Sequence, residues 1–282
     1  MNFRGPGSSF ELLFDAEPAS ASGIRLPAEL RAIFGGDWVI PSEARPYSYS
    51  NFVMSHDGRV SFNVHGHEGG GDVSDFNPHD QWLMALARAR ADAVVVGANT
   101  LRTEFEHEWT AEYIFPSEGD AFAAYRRAEA KAPRPLQVIV TRSGEVHPGA
   151  AIFKDPNHRV LIATSSNGAA RLRAQNLGAV EILELGVDDV DLPRLYALLH
   201  SDFGVKAVLC EGGPRLYASL IQANQLDEEF LTLSPVVIGD NDGQPRPGLV
   251  EGLALPPGNP YRAKPVALRR AGDHLFLRTS WR

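Results

Sequence analysis

Cysteine is almost missing from this chain of 282 residues; it occurs once, as Cys210. No internal disulfide is possible, and a reducing cytoplasm is the expected compartment. Cys210 lies in an apolar run, where a thiol acts as a small inert hydrophobe rather than a nucleophile. A basic surplus is missing too. Lys and Arg number 27 against 35 Asp and Glu, a net charge of −8. That argues against nucleic acid as the main partner, because a phosphate backbone needs a basic face. A single nucleotide needs only a local pocket and stays compatible. No apolar run approaches the roughly 18 residues of a membrane span, and the N-terminus lacks the basic start and apolar core of a signal peptide. There is no internal repeat, no G-x-G-x-x-G after the first strand, no G-x-S-x-G elbow and no G-x-x-x-x-G-K-[ST] loop. A standard dinucleotide fold, a hydrolase elbow and a P-loop are thereby disfavoured.

What is present is ordinary globular material, 44% hydrophobic and 22% charged, with enough chain for one large α/β domain or two small ones. The most informative stretch is Ala207 to Leu220, AVLCEGGPRLYASL. A buried parallel strand is expected first, then a Glu-Gly-Gly turn, then a helix with Pro214 in its first turn. Two glycines let a backbone come close to a ligand, and the helix start behind them offers unpaired N–H groups and a positive dipole end, which suits a phosphate. The plain alternative is a tight strand-to-helix turn with no ligand. Glu211 favours the site, because a carboxylate at the mouth of a parallel strand is costly without a partner.

In chain order, residues 1–44 are expected to form an extension, disordered over Met1–Ser9 and carrying one short helix over Pro27–Phe34. Residues 45–282 form the main domain. Tyr47–Met54 is extended and ends in a turn at Asp57-Gly58. His65 to Asp75 is a Gly-rich loop whose His65-x-His67 pair lacks an evident third metal ligand. Pro78–Arg90 is a helix, and Ala93–Gly97 a buried strand leading to Thr100 and Arg102 at a second helix start. Residues 105–133 read as a decorated surface insertion. Further strands are expected at Leu136–Val140, ending in Thr141, Arg142 and Ser143, and at Val160–Thr164 and Val180–Leu185. Helices are expected over Ala169–Gln175 and Asp191–Leu199. Phe230–Ile238 and Asp273–Trp281 read as an antiparallel pair closing one edge, joined by a loop from Gly239 to Pro260. The apolar Leu275, Phe276, Leu277 and Trp281 then stand near an edge that a symmetric homodimer would cover. Strands ending in small polar residues and mostly followed by helices describe an α/β sheet with a ligand site along its carboxyl ends.

Four segments, RPYSYSNFVMSHDGRVS, ADAVVVGANTLRTE, PLQVIVTRSG and VLCEGGPRLYASLIQANQLDEEFLTLSPVVIG, occur in this order. Together they resemble the reductase domain of bacterial riboflavin biosynthesis, which shares the dihydrofolate-reductase fold. The resemblance runs from about Arg45 to the C-terminus. It implies a central, mixed but mostly parallel sheet flanked by helices, with antiparallel C-terminal strands. It also implies NADPH as hydride donor, usually a homodimer, and a small-molecule substrate. The reaction of that family reduces the ribose of 5-amino-6-(5-phosphoribosylamino)uracil to a ribitol chain. On the matched segments, Gly97, Thr100 and Arg102 fall on the cofactor-phosphate segment, and Thr141, Arg142 and Ser143 at the adenosine end with its 2′-phosphate. Glu211, Gly212, Gly213, Pro214, Arg215 and Leu216 fall beside the pyrophosphate and nicotinamide. Asn51, Met54, Ser55, Asp57 and Gly58 fall on the wall between nicotinamide and substrate. The departures are Asn51, where the family usually has a lysine, an unusual His65–Asp80 stretch, and the lack of the H-x-E and P-C-x-x-C signatures of an accompanying deaminase.

Hydride transfer to a polarised C=N or C=O carbon needs a proton at the neighbouring heteroatom, which a carboxylic acid of raised pKa supplies. Asp57, at the tip of its turn, is the expected donor, and Glu211 the group orienting substrate or nicotinamide. Two alternatives stand beside this: a reductase of a pterin such as dihydrofolate, and a non-catalytic NADP-binding protein of the same fold.

Overall fold

Short β-branched runs with apolar side chains on both faces can only be buried between two helical layers, and the chain is built that way. The computed structural model describes residues 1–17, 20–175, 177–241 and 243–282. Positions 18 and 19 of the expected extension, position 176, and position 242 of the expected Gly239–Pro260 loop lie outside the described residues.

In chain order the elements are β1 (Glu11–Asp15), α1 (Ala28–Phe34), β2 (Tyr47–Met54), α2 (Gly70–Val73), α3 (Pro78–Arg90), β3 (Ala93–Gly97), α4 (Ala98–Thr103), α5 (Ala111–Ile114), α6 (Gly119–Ala128), β4 (Leu136–Thr141) and α7 (Ala151–Lys154). They continue with β5 (Val160–Thr164), α8 (Ser166–Arg173), β6 (Val180–Glu184), α9 (Leu192–Ser201), β7 (Ala207–Cys210), α10 (Pro214–Gln222), β8 (Glu228–Leu233), β9 (Lys264–Ala271) and β10 (His274–Ser280). One sheet runs in the order β1-β9-β10-β8-β2-β7-β3-β4-β5-β6. From β8 to β6 neighbouring strands are parallel, while β8, β10, β9 and β1 pair antiparallel. This is the expected mixed, mostly parallel sheet with antiparallel C-terminal strands.

β7 pairs with β2 on one side and β3 on the other, so the turn after Cys210 opens at the middle of the carboxyl edge. One face carries a core of α1, α3 and α6 side chains with Trp38, Tyr49 and Phe230; the other packs Leu195 and Leu199 of α9 and Leu216 and Leu220 of α10. Helix α3 is set by Asn77, whose side chain accepts from the His79 N–H at 2.9 Å and the Asp80 N–H at 3.3 Å, with Pro78 in the first turn. Its other end is closed by Arg126, whose Nη1 donates to the carbonyls of Arg88, Ala89 and Ala91 at 3.1, 3.0 and 2.7 Å. Those are carbonyls at the helix end, where backbone donors run out; the Arg88 carbonyl also accepts the Ala91 N–H at 3.3 Å.

Several expectations are corrected here. Residues 105–133 are no surface decoration: Trp109, Phe122 and Tyr125 are buried in the main core, and Arg126 caps α3. The closing pair β8–β10 does not lie at an edge, because β9 and β1 continue the sheet beyond it. Phe276 is buried, so the apolar edge expected at Leu275–Leu277 for a dimer is an inner strand. The β8 strand also ends at Leu233 rather than Ile238, since the backbone of Val236, Ile238 and Gly239 bonds to His56 and Asp57 instead. Where disorder is expected at the N-terminus, the N–H groups of Arg4 and Gly5 donate to Glu118 and Phe3 packs edge-on to Phe122 at 5.0 Å. Phe10 is buried among Phe34, Trp82 and Phe276. Phe10→Ala is therefore expected to lower unfolding free energy by about 3–5 kcal/mol, as for other buried Phe truncations. Urea denaturation checks this, and a loss below 1 kcal/mol would mean that the segment merely rests on the surface.

Candidate active site

A buried carboxylate has to be paired, and Glu211 is. It leaves β7 at the centre of the carboxyl edge, and Arg88 reaches it from the last turns of α3. Arg88 Nε lies 3.0 and 3.1 Å from the two carboxylate oxygens, and Nη2 donates to Oε2 at 2.7 Å. Side-chain exposure is 1% for Arg88 and 6% for Glu211. Arg88 has no idle donor. Its Nη1 donates to the Thr110 carbonyl at 3.1 Å and faces the Glu108 carbonyl at 3.4 Å, and its Nη2 also donates to His107 Nε2 at 2.8 Å. Burial, and next the charge of Arg88, hold His107 well below the usual imidazole range, so its ring is neutral at pH 7 and accepts that bond.

Beside this pair opens a cavity of about 370 Å³. β2 contributes Asn51, α3 contributes Asp80, Met84 and Arg88, and the two strand-end turns contribute Thr100, Gly213, Pro214 and Glu211. Glu104 and His107, just after α4, complete one wall. Burial pushes the Glu104 carboxyl up to about 7; Arg88 opposes this, while Glu211 and Glu68 add to it. Asp80 is raised as well, first by burial. Asn51 Oδ1 and Asp80 Oδ1 are buried with no hydrogen-bond partner.

The turns after β3 and β7 touch. A Cβ on Gly212 would fall 2.3 Å from Val96 Cα and 2.4 Å from Gly97 N, so only glycine permits the contact. Gly213 has φ +35°, and a Cβ there would come within 3.3 Å of Thr100 Oγ1. The gap between these two helix starts is a cradle that a side chain would fill, with the Thr100 hydroxyl on its wall. Such a cradle fits a pyrophosphate. One strand further along, Arg142 and Ser143 are exposed beyond β4. Thr141 Oγ1 accepts from the Gly144 N–H at 3.1 Å, and Ser165 Oγ donates to the Arg142 carbonyl at 2.7 Å, so this loop is fixed while its cation faces solvent.

The expected residues thus divide. Asn51, Thr100, Glu211, Gly213 and Pro214 meet at the cavity, with Gly97 and Gly212 in the backbone beneath. Leu216 points into the core behind, Arg215 is exposed, and Arg102 is exposed with Nη1 on the Glu145 carbonyl at 2.9 Å. Met54, Ser55, Asp57 and Gly58 do not line the cavity. Ser55 Oγ donates to Asp57 Oδ1 at 2.7 Å, and Asp57 accepts from the N–H groups of Ile238 and Gly239 at 3.0 and 2.7 Å. Led by the Ile238 bond, these donors hold the Asp57 carboxyl down at about 2. It is an ionised anchor of the 238–239 backbone, the opposite of the raised acid expected of a proton donor. The acid in that condition is Glu104, which stands one residue before the expected surface insertion and is not among the expected site residues. His65 and His67 each stand by an acid, Glu68 at 3.7 Å and Asp72 at 2.8 Å. Elsewhere Glu108, Asp155 and His158 approach one another, but Arg134 occupies that place, with Nη1 2.6 Å from Asp155 Oδ2 and 3.0 Å from His158 Nε2.

Among known proteins, the RibD C-terminal domain family model matches residues 46–268. The 2,5-diamino-6-ribosylamino-4(3H)-pyrimidinone 5′-phosphate reductase of Archaeoglobus fulgidus is 28% identical over 70% of this chain and 84% of its own. The protein of that name from Methanothermobacter thermautotrophicus is 24% identical over 71% and 82%. The same fold occurs in a pyrimidine reductase-like protein of Corynebacterium diphtheriae, with TM-score 0.62, 20% identity, and coverage of 83% of this chain and 91% of that one. It occurs also in Acinetobacter baumannii RibD, with TM-score 0.60 and 20% identity, where 84% of this chain aligns to 58% of that longer chain. A match of this extent, on a chain whose strand-end turns build the cavity just described, establishes that the chain belongs to the RibD C-terminal domain family.

Proposed function

We propose that this chain is an NADPH-dependent oxidoreductase that reduces the ribosylamino carbon of an amino-substituted pyrimidine, the kind of substrate for which its archaeal relatives are named. The observation that carries this reading is the meeting of a raised acid, Glu104, with the paired Arg88–Glu211 floor in one cavity beside a cradle for pyrophosphate. When bound, the nicotinamide supplies the hydride. The Gly97–Thr100 and Gly212–Leu216 turns would hold the pyrophosphate, and Arg142 with Ser143 the 2′-phosphate at the adenosine end. Glu211, locked by Arg88, orients whatever lies on the cavity floor. Glu104 holds the proton for the heteroatom next to the reduced carbon, since its folded environment keeps it protonated to about pH 7.

Two expectations follow. A general acid works only in its protonated form, so turnover should hold below about pH 7 and fall as pH rises through the Glu104 value. Glu104→Gln should cut turnover by roughly 10²- to 10⁴-fold and remove that limb of the profile, while cofactor affinity changes little. Asp57→Asn should leave the limb in place; a limb that disappears in Asp57→Asn and survives in Glu104→Gln would reverse the assignment. For the cofactor, wild type is expected to bind NADPH at least about tenfold more tightly than NADH, through a charge-assisted contact to the extra phosphate. Arg142→Ala should erase most of that difference and leave NADH binding alone, as read by tryptophan quenching. Equal losses for both cofactors would move the 2′-phosphate to another cation.

A further inference from the structure

Helix α3 lays one stripe of side chains along the cavity. Asp80, Met84 and Arg88 follow at spacings of four, so they share a face, and all three line the cavity. At a rise of about 1.5 Å per residue, Asp80 lies about 12 Å along the axis from Arg88. The Arg88 end holds Glu211 and His107 and belongs to the chemistry above. The Asp80 end has no part in that chemistry, and its acid has no counterion. Asp80 is 2% exposed, and its Oδ1 has no hydrogen-bond partner. Among the described residues no ion pair reaches it. Arg88, the one arginine or lysine among the described lining residues, is committed to Glu211. Burial raises the Asp80 carboxyl, against the pull of the Thr232 and Ser74 hydroxyls and the His274 charge.

A buried acceptor left without a donor is a cost that a ligand N–H relieves. Asn51 of β2 brings a second buried oxygen without a partner to the same cavity. A carboxylate holds its oxygens in one plane and is met best by two parallel N–H donors. A 2-aminopyrimidin-4-one offers such a pair along one edge, the ring N3–H and an N–H of the 2-amino group. A uracil ring has a carbonyl oxygen at position 2 instead, and acceptor would then face acceptor. We propose, resting on the reductase reading above, that Asp80 is the specificity-determining residue of this cavity. It accepts the paired N–H groups of a 2-aminopyrimidin-4-one ring and disfavours a ring with oxygen at position 2.

The test compares 2,5-diamino-6-ribosylamino-4(3H)-pyrimidinone 5′-phosphate with 5-amino-6-(5-phosphoribosylamino)uracil, which carry the same sugar phosphate and differ in the ring at position 2. Each is titrated into the full chain by tryptophan quenching and assayed in parallel for NADPH oxidation. Trp109 lines the cavity and reports on occupancy. Wild type is expected to favour the diamino compound at least about tenfold, in affinity and in kcat/KM. Asp80→Asn keeps the shape of the side chain but replaces one oxygen by a donor. It should narrow that ratio at least about fivefold, by loss for the diamino compound and gain for the uracil. Asp80→Ser, smaller and also uncharged, repeats the measurement should the amide disturb the helix. A merely structural role for Asp80 would weaken both compounds alike and leave the ratio unchanged, which would overturn the proposal, as would binding of neither compound by wild type. NADPH oxidation at equal kcat/KM with both would defeat the ring assignment and leave the reductase reading standing. A diamino preference in binding with no NADPH oxidation from either would uphold the ring assignment and defeat the reductase reading.

Discussion

The structure depends on one buried ion pair. Arg88 comes from a helix, Glu211 from the end of the central strand, and neither charge is affordable at that depth without the other. Their bond decides where α3 sits on the sheet and where the Gly212–Gly213 turn opens. The remaining donors of Arg88 pin the Glu108 and Thr110 backbone, so one guanidinium fixes three walls of the cavity. The cation capping α3 from behind, Arg126, holds the helix from which Arg88 projects. A pair of this kind adds little net stability compared with apolar packing, and its value lies in fixing one arrangement.

The chemistry of the cavity follows from that pairing. Because Glu211 takes the charge of Arg88, the neighbouring acids must manage without a full counterion, and burial then drives them toward their protonated forms. Glu104, pushed up to about 7, shows this, with burial the main cause and Arg88 only partly opposing it; Asp80 is raised chiefly by its own burial. Asp57 shows the contrast. It is also an acid near the sheet edge, but backbone N–H donors surround it and hold it ionised. Equal residue types thus receive opposite properties from their hydrogen-bond partners, and that difference separates an anchor from a proton reservoir.

Much of this was legible in the sequence, because the parallel strands are local events. AVVVG, LQVIV and VLIAT are apolar runs bounded by small polar residues, and EGGP announces a strand-to-helix turn whether or not the partners are known. The missing parts depend on distant partners. Leu12–Phe14 are exposed, and only pairing with β9 makes β1 a strand. In β9 the arginines Arg269 and Arg270 mask the alternation, although Arg269 is buried over the Phe34 ring at 3.7 Å. Glu104 lies among residues that look polar, TEFEHEW, and its burial is created by α3 and the Gly69 backbone arriving from elsewhere. A turn aspartate beside glycine, such as Asp57, looks alike in sequence whether it faces a ligand or an adjoining loop. The backbone of residues 238 and 239 decides the matter, and it lies about 180 residues away.

The measurement that bears most directly on this account is a double-mutant cycle across the central pair, with Arg88→Met, Glu211→Gln and the combined variant compared by urea denaturation. Each single change leaves a buried partner uncompensated and is expected to cost about 3–5 kcal/mol. The combined variant should cost far less than the sum of the two, with a coupling of at least ~2 kcal/mol. Additive losses would contradict the account, because they would mean that Arg88 and Glu211 stabilise the chain independently and that the site is organised by something else.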